Sequence, residues 1–395
     1  MQDTAKPHRY IVLDSLRGIC ACMVALFHFR ANSHLYDIEI IRNSYLFVDF
    51  FFVLSGFVIF ANYENRIREG FGFVKFMLLR FGRLYPLHIA ILLAFVGVEF
   101  VQIFVQGLQQ HAQFEPFSSP SENLGTLISN VFLIHGIGIY DRVTWNGPSW
   151  SISTEFYTYA LFAAAIIAFK NHIRWFLYAV LAICPVILFI VSPSFMSTDA
   201  EYGFIRCIFS FSAGALTWGI IKKYQDIQLF KGGYIQYWHI AELLTAVIVI
   251  MFVITAGRGV FTLLAPFVFS MTIFLFAFER GLISKILKYR FFVFLGTLSY
   301  SIYMSHAFIH VKIFFGLGPI AEKFLQDKVI VMVDGMKRIG SDQWHGDIAT
   351  ILYMVMVFTA SFITYKLIEA PFRKIFRNIA YKKQSEKVVS IDQAA

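Results

Sequence analysis

The chain has 395 residues, of which 58% are apolar, only 15% are charged and 46 are phenylalanine. A soluble protein of this length cannot bury so much apolar surface, so the composition excludes that class and indicates a polytopic membrane protein. The net charge of +9 does not indicate a nucleic-acid-binding protein, because the basic residues are spread over separate loops between apolar segments.

Ten segments are apolar over about the length that crosses a bilayer. They are residues 11–30, 44–62, 86–105, 149–169, 174–192, 203–221, 239–256, 260–278, 294–314 and 347–368. The segment from Leu124 to Tyr140 is shorter and broken by glycines, so we expect it to be re-entrant or interfacial. The predicted fold is an all-α bundle of about ten transmembrane helices.

Positive charge orients this bundle, since cytoplasmic loops carry an excess of lysine and arginine. With the N-terminus inside, the inner segments hold 23 such residues and the outer segments hold 8. Both termini are therefore predicted to be cytoplasmic. The first apolar segment carries a charged stripe and lacks a small-residue cleavage site, so we expect a retained helix rather than a signal peptide.

The domain organisation is predicted to be simple. Residues 1–376 form one membrane domain, and residues 377–395 form a polar cytoplasmic tail that we expect to be disordered. The four cysteines lie in predicted helices without the spacing of a metal or redox motif, which favours packing roles, and no metal is expected. They are Cys20, Cys22, Cys184 and Cys207.

The first helix carries Asp14, Arg17 and His28 along one face. The eleven-residue step from Arg17 to His28 is about three turns and about 16 Å. Ionisable groups at membrane depth usually need a partner, a cavity or a function. Two interpretations stay open: a reaction site with His28 as proton acceptor near the outer face, or a structural Asp14–Arg17 ion pair with an interfacial histidine.

Other helices carry further isolated charges. Asp49 lies among aromatic residues, where packing does not explain it. Glu155, five residues after Trp150, is predicted at the depth of His28, where it orients an imidazole or an acceptor hydroxyl or forms a neutral hydrogen bond. Trp150 is predicted at the outer interface. Arg206 either stabilises negative charge near His28 or neutralises Glu155 or Asp49.

The predicted cytoplasmic side carries two charged motifs. Arg80 and Arg83 lie one turn apart before Pro86, which is expected to begin the third helix. Their guanidinium groups suit a phosphorylated cosubstrate, although the positive-inside rule and anionic lipid explain them as well. Glu369 and Arg373 flank a proline and are expected to form an ion pair at a helix stop.

The ninth predicted helix contains Ser299, Tyr300 and His306, with hydroxyl groups at near-helical spacing. A lone histidine on an apolar face is more often a satisfied interior residue than a catalyst. His306 is therefore expected to have a supporting role.

Taken in order, these motifs resemble the acyltransferase family 3 of integral membrane proteins. The similarity rests on Leu13-Asp14-Ser-Leu-Arg17-Gly18 with His28, Phe50-Phe-Phe-Val-Leu-Ser-Gly-Phe57, Arg80 and Arg83 before Pro86, Trp150-Ser-Ile-Ser-Thr-Glu155-Phe-Tyr157, Leu298-Ser-Tyr-Ser-Ile-Tyr303 with His306, and Glu369-Ala-Pro371-Phe-Arg373. Each motif alone is weak, but the ordered set spans nearly the whole chain and is specific.

The resemblance implies transfer of an acyl group, usually acetyl, from cytoplasmic acyl-coenzyme A to a hydroxyl of a carbohydrate or glycolipid acceptor at the outer face. Arg17 and His28 match the family's arginine and histidine motif, with His28 in the catalytic position. Arg80 and Arg83 match its cytoplasmic arginine pair, for which the natural role is a coenzyme A contact. Glu155 matches an acid that many members share.

The resemblance also implies a location and a set of partners. We expect an integral protein of a bacterial inner membrane, in contact with the lipid bilayer. Some members carry an extracytoplasmic hydrolase-like domain, and this chain shows none. We therefore expect it to acylate its acceptor directly or to pass the acyl group to a separate extracytoplasmic protein.

The alternative function is a transporter or flippase for a lipid-linked saccharide, in which the same polar stripe binds substrate without covalent chemistry. Such a protein would favour paired repeats and helices broken at the midplane, and the sequence has neither clearly. The acceptor itself depends on the loops 106–147 and 315–346, whose composition names no sugar.

Overall fold

The computed structural model describes residues 9–109, 117–224 and 235–392. Within these ranges the chain forms fifteen α-helices. In chain order they are α1 (Ile11–His28), α2 (Glu39–Arg42), α3 (Phe47–Arg68), α4 (Phe73–Gln109), α5 (Leu124–Val131), α6 (Trp150–Phe169), α7 (Ile173–Val191), α8 (Gly203–Tyr224), α9 (Ile235–Ala256), α10 (Ala265–Phe276), α11 (Leu282–Leu287), α12 (Arg290–Phe308), α13 (Gly316–Leu325), α14 (Gln343–Thr364) and α15 (Ala370–Asp392).

Every one of the ten predicted spans is helical in this structure. In the described part of the chain, eight helical segments are long and apolar enough to cross a membrane. One of them, Gly147–Val191, contains both α6 and α7, which are divided at Lys170, whose φ is 45°. A further apolar segment, Val260–Phe276, is shorter. The predicted all-α polytopic bundle is confirmed.

Three predicted boundaries differ from the structure. Pro86 does not begin a helix but lies inside α4, which starts at Phe73. Membrane helices tolerate an internal proline when neighbouring groups satisfy the freed backbone atoms. The motif from Glu369 to Arg373 does not stop a helix, because a π-helical turn over Tyr365–Glu369 leads directly into α15. The predicted start of the tail, residue 377, also falls inside α15.

The segment after Asn123 is short, as predicted. Helix α5 has eight residues, which is about 12 Å and too short to cross a bilayer. Asn123 and Thr126 form a reciprocal capping box at its start, with side-chain to backbone distances of 3.0 and 2.9 Å. Polar residues of α5 are buried while Leu124 and Ile128 are exposed, so the helix turns its polar face toward the protein.

A β-hairpin that the sequence did not predict lies between α13 and α14. Strands β1 (Ile330–Val333) and β2 (Met336–Ile339) pair antiparallel through a turn at Asp334 and Gly335, both with positive φ. Ile339 also pairs with the chain that follows α1: its N–H donates to the Arg30 carbonyl at 2.9 Å, and its carbonyl accepts from the Asn32 N–H at 2.8 Å.

Helices α1 and α12 run parallel and touch through two glycines. A methyl group added at Gly18 would lie 2.5 Å from the Gly296 backbone nitrogen, and one added at Gly296 would overlap the Asp14 carbonyl oxygen. Small residues let membrane helices approach this closely. Because His28 and His306 each lie ten residues beyond these glycines, the crossing brings their side chains together at one end of the bundle, here called the His28 end. The opposite end of α1 is called the Arg17 end.

The crossing predicts that Gly296→Ala destabilises the protein by about 1–3 kcal/mol, since overpacking of a tight contact forces the backbones apart. Thermal unfolding of the detergent-solubilised protein, followed by tryptophan fluorescence, measures the loss as a lower Tm. Gly97→Ala in α4 is the matched control, because a methyl group there meets nothing within 4 Å. Equal Tm values for the two variants would contradict the proposed constraint.

Candidate active site

At the His28 end, two imidazole rings face each other across the α1–α12 interface. His28 Nδ1 lies 2.9 Å from the Val24 carbonyl oxygen and 3.2 Å from His306 Nε2. His306 Nδ1 in turn lies 3.2 Å from the Ile302 carbonyl oxygen. The ring centroids are 5.0 Å apart.

With both rings neutral, these contacts favour one tautomer of each ring. A carbonyl oxygen only accepts hydrogen bonds, so each Nδ1 carries a proton. The His28 Nδ1–H is then shared between the Val24 carbonyl and the lone pair of His306 Nε2. This arrangement leaves His28 Nε2 without a proton and able to accept one. His28 is partly exposed, whereas His306 is fully buried.

His306 is buried, as expected of an interior residue, but its contact with His28 gives it a more specific place than the sequence indicated. Tyr303, one turn earlier, has its ring 5.8 Å from that of His306. The Tyr303 hydroxyl lies 2.7 Å from Ser151 Oγ and 3.1 Å from the Pro148 carbonyl oxygen. These bonds fix α12 against the start of α6 beside the two histidines.

At the Arg17 end, Arg17 contacts both its own helix and α12. Its guanidinium lies 3.2 Å from Asp14, so the predicted ion pair is present. The same group donates to Ser299 Oγ at 2.8 Å and to the Gly296 carbonyl at 3.1 Å. Arg17 therefore does more than neutralise Asp14, because it also joins the two helices next to their glycine crossing.

Arg80 and Arg83 differ from Arg17, since neither has a carboxylate at ion-pair distance among the described residues. Arg80 is buried, donates to the Tyr63 hydroxyl at 3.0 Å, and lies within 6 Å of the Tyr63, Phe76 and Tyr159 rings. Arg83 makes no hydrogen bond or ion pair with any described residue. Cations held without a carboxylate partner suit an anionic ligand such as a phosphate.

The surroundings of Arg83 bring several predicted residues together. Asp14, Glu155 and Glu369 all lie close enough to interact with its charge. Next to it, the Tyr300 hydroxyl donates to the Leu84 carbonyl at 2.5 Å and fixes α12 against α4. Arg83 therefore lies among acids at longer range, with no one of them bonded to it.

Glu155 lies within interaction distance of Arg83, and none of its contacts is with His28; of its predicted roles, hydrogen bonding within the bundle is the one that its contacts show. Its carboxylate accepts from the hydroxyl groups of Ser55 and Tyr159, the latter at 2.5 Å. Trp150, which was predicted at the outer interface, is buried against other helices, since its ring packs against Gly203 and Phe52.

Asp49 and Arg206 form a fully buried ion pair. The Arg206 Nε and Nη2 atoms lie 3.0 and 2.7 Å from the two Asp49 oxygens, and Ser210 adds a hydrogen bond of 3.0 Å. The remaining Arg206 donors bond the Thr198 and Tyr45 carbonyls. Of the alternatives for Arg206, the structure shows neutralisation of Asp49, and four of the five guanidinium N–H groups are used in these bonds.

Glu369 and Arg373 form the predicted ion pair, with a distance of 3.4 Å. Glu369 also accepts from Ser301 Oγ at 3.0 Å, so the buried carboxylate joins the π-helical turn before α15 to α12. The hydrogen bond between Ser301 and Glu369, rather than the local ion pair, joins the two helices.

Beyond His306 lies a charged group that the sequence analysis missed. The helix continues through a π-helical turn over Ile309–Phe315, and Lys312 in that turn lies 3.2 Å from both Glu99 and Glu122. Burial raises the pKa of the Glu122 carboxyl above its ordinary value. The only indication in the sequence was a single lysine, Lys312, within an apolar segment. Its partners Glu99 and Glu122 are about 200 residues away along the chain, so the sequence did not reveal them.

The comparisons with known proteins agree with this architecture. The family model described as an acyltransferase domain, acyltransferase family 3, matches residues 10–366. Protein 2 in picA locus of Rhizobium radiobacter is 30% identical over 201 residues, covering 48% of this chain and 97% of that protein. No solved structure matches the chain significantly. The chain belongs to acyltransferase family 3 and is an integral membrane acyltransferase.

Proposed function

We propose that this enzyme transfers an acyl group, acetyl in the simplest case, from cytoplasmic acyl-coenzyme A to a hydroxyl of a carbohydrate or glycolipid at the outer face. One observation carries the proposal. Along the α1–α12 interface, a histidine with a free Nε2 lies at one end, and two arginines without carboxylate partners lie near the other. The two ends are about 16 Å apart along α1, as the eleven-residue step from Arg17 to His28 requires.

The donor is proposed to bind at the Arg17 end. Arg80 and Arg83 would hold the phosphate groups of acyl-coenzyme A, because a guanidinium fork matches phosphate oxygens and neither group is occupied by an acid. The aromatic rings around Arg80 restrict its movement and lower the entropy that binding costs. The long pantetheine arm then brings the thioester along the interface toward His28.

His28 is proposed to act as general base. Its Nε2 takes the proton of the acceptor hydroxyl while the acceptor oxygen bonds to the acyl carbonyl carbon. The bond from that carbon to the coenzyme A sulfur then breaks, and the leaving thiolate takes the proton back from His28. His306 is a positioning residue in this scheme, since it accepts from Nδ1–H and keeps the lone pair of Nε2 toward the acceptor.

Attack of the hydroxyl places negative charge on the acyl carbonyl oxygen. The contacts of Arg206 and Arg17 argue against either of them as the group that stabilises this oxyanion. Arg206 donates to Asp49, Tyr45 and Thr198, and Arg17 donates to Ser299 and Gly296. Arg17 is also about three helical turns from His28. The proposal therefore assigns both arginines to the scaffold rather than to the reacting carbonyl.

The first of three predictions from this proposal concerns His28. His28→Ala should lower acyl transfer by about 10²–10⁴, the usual contribution of a positioned base. Labelled acetyl groups transferred from acetyl-coenzyme A to surface glycans measure the loss in cells that express each variant. Affinity for acetyl-coenzyme A and the Tm should stay near those of the wild type. Full transfer by a folded His28→Ala protein would rule out this mechanism.

A second prediction separates orientation of His28 from simple packing at position 306. His306→Gln supplies a carbonyl oxygen that can accept from His28 Nδ1–H, whereas His306→Leu cannot. We expect the leucine variant to lose at least about tenfold in kcat, with the glutamine variant recovering much of it and KM unchanged in both. Equal kcat values for the two variants would mean that His306 only fills space.

The third prediction concerns the donor site. Arg80→Gln and Arg83→Gln should each weaken acetyl-coenzyme A binding by about 10-fold or more, because a charge-assisted hydrogen bond is lost. Equilibrium binding to the purified protein measures the change. Arg377→Gln, an exposed arginine on α15, is the control and should bind like the wild type. Unchanged affinity in both variants would move the donor site elsewhere.

A further inference from the structure

An arginine without an acid partner lies directly beside His28. Arg42 is the last residue of α2, and its Nη1 donates to the Phe27 carbonyl at 3.3 Å. Its guanidinium carbon lies 4.4 Å from the centroid of the Tyr36 ring and 5.2 Å from that of Phe27. Among the described residues, no carboxylate lies at ion-pair distance from Arg42.

The neighbouring Arg338 shows how the same surroundings hold an arginine that is part of the scaffold. Its guanidinium carbon also lies over the Tyr36 ring, at 4.8 Å. Yet Arg338 is paired with Asp37 at 2.6 Å and with Asp334 at 3.3 Å. Two arginines therefore share one tyrosine, and only one of them is neutralised by the protein.

The position of Arg42 connects it to the reacting group. Phe27, whose carbonyl and ring it contacts, precedes His28 in the chain. Arg30, two residues after His28, is exposed and likewise has no acid partner among the described residues. Both arginines lie close enough to interact electrostatically with the His28 ring. The partly exposed His28 therefore has two cations near it that no described carboxylate neutralises.

From this geometry we propose that the His28 end holds a subsite for an oxyanion on the acceptor, a carboxylate or a phosphate, with Arg42 as its main contact and Arg30 as a second cation. The inference rests on the proposed function, because it names the class of that function's acceptor. A guanidinium fixed on two aromatic rings and one carbonyl keeps its other N–H groups free for a two-point contact with an anion.

The proximity of Arg42 to His28 limits where the acid can lie on the acceptor. The hydroxyl must reach His28 Nε2 while the oxyanion reaches Arg42, which contacts the residue next to His28 in the chain. The acid should therefore belong to the acylated sugar or to the neighbouring unit. A uronic-acid saccharide satisfies this requirement, and a neutral saccharide leaves both cations without a partner.

The test measures acceptor binding separately from acyl transfer. The full chain in phosphatidylcholine nanodiscs is titrated with trigalacturonate and with its neutral counterpart, galactotriose. We expect trigalacturonate to bind at least about tenfold more tightly, the effect of one charge-assisted contact. Arg42→Gln should remove this preference, Arg42→Lys should retain part of it, and Arg30→Gln should reduce it less. Lys337→Gln, which removes an exposed charge on β2, should leave it unchanged.

Several results would overturn the subsite. One is equal affinity of the wild type for the two saccharides, and another is a preference that survives Arg42→Gln. A third is an effect of Arg42→Gln on binding that appears only when the nanodisc contains phosphatidylglycerol. Arg42 would then contact a lipid headgroup rather than the acceptor. Acetyl-coenzyme A consumption is assayed in parallel. Arg42-dependent trigalacturonate binding without such consumption would refute the proposed function and leave the anion subsite standing.

Discussion

The close approach of α1 and α12 at Gly18 and Gly296 is the constraint on which the candidate site depends. With no side chain between them, the two backbones meet, and the parallel direction of the helices keeps equivalent positions in register on both sides of the crossing. Arg17 meets Ser299 near the crossing, and His28 meets His306 ten residues beyond it. Rigid helices are well suited to hold such pairs, since loops would allow more movement.

The buried and partly buried arginines of the bundle form two groups. Arg206 and Arg17 have carboxylate partners, and their donors are used by neighbouring groups, as expected of charges that stabilise a structure in a medium where an unpaired ion is costly. Arg80, Arg83 and Arg42 lack such partners among the described residues. The paired arginines stabilise the fold, and under the proposed function the unpaired ones are available to a ligand.

Much of the fold could be predicted from the sequence, because apolar length decides where helices cross a membrane. The stripe of Arg17 and His28 was also predictable, since helical periodicity fixes which residues share a face. The partner of His28 was not, because pairing across helices depends on a close crossing between segments some 280 residues apart. Glu155 and Trp150 show the same limit. Glu155 bonds with Ser55 of α3, Trp150 is buried by other helices, and the sequence of one helix does not show contacts with another.

The pairing of Ile339 with the chain after His28 has a consequence for how this enzyme could acquire new acceptors. The contacts join backbone to backbone, at Arg30 and Asn32, and so do not depend on which side chains the hairpin carries. Exposed side chains of the hairpin, such as Met332 and Lys337, can therefore be exchanged without moving His28, whereas the buried Arg338 and Ile339 belong to the scaffold. If His28 acts as proposed, changes at these exposed positions can alter acceptor preference while the position of His28 stays the same.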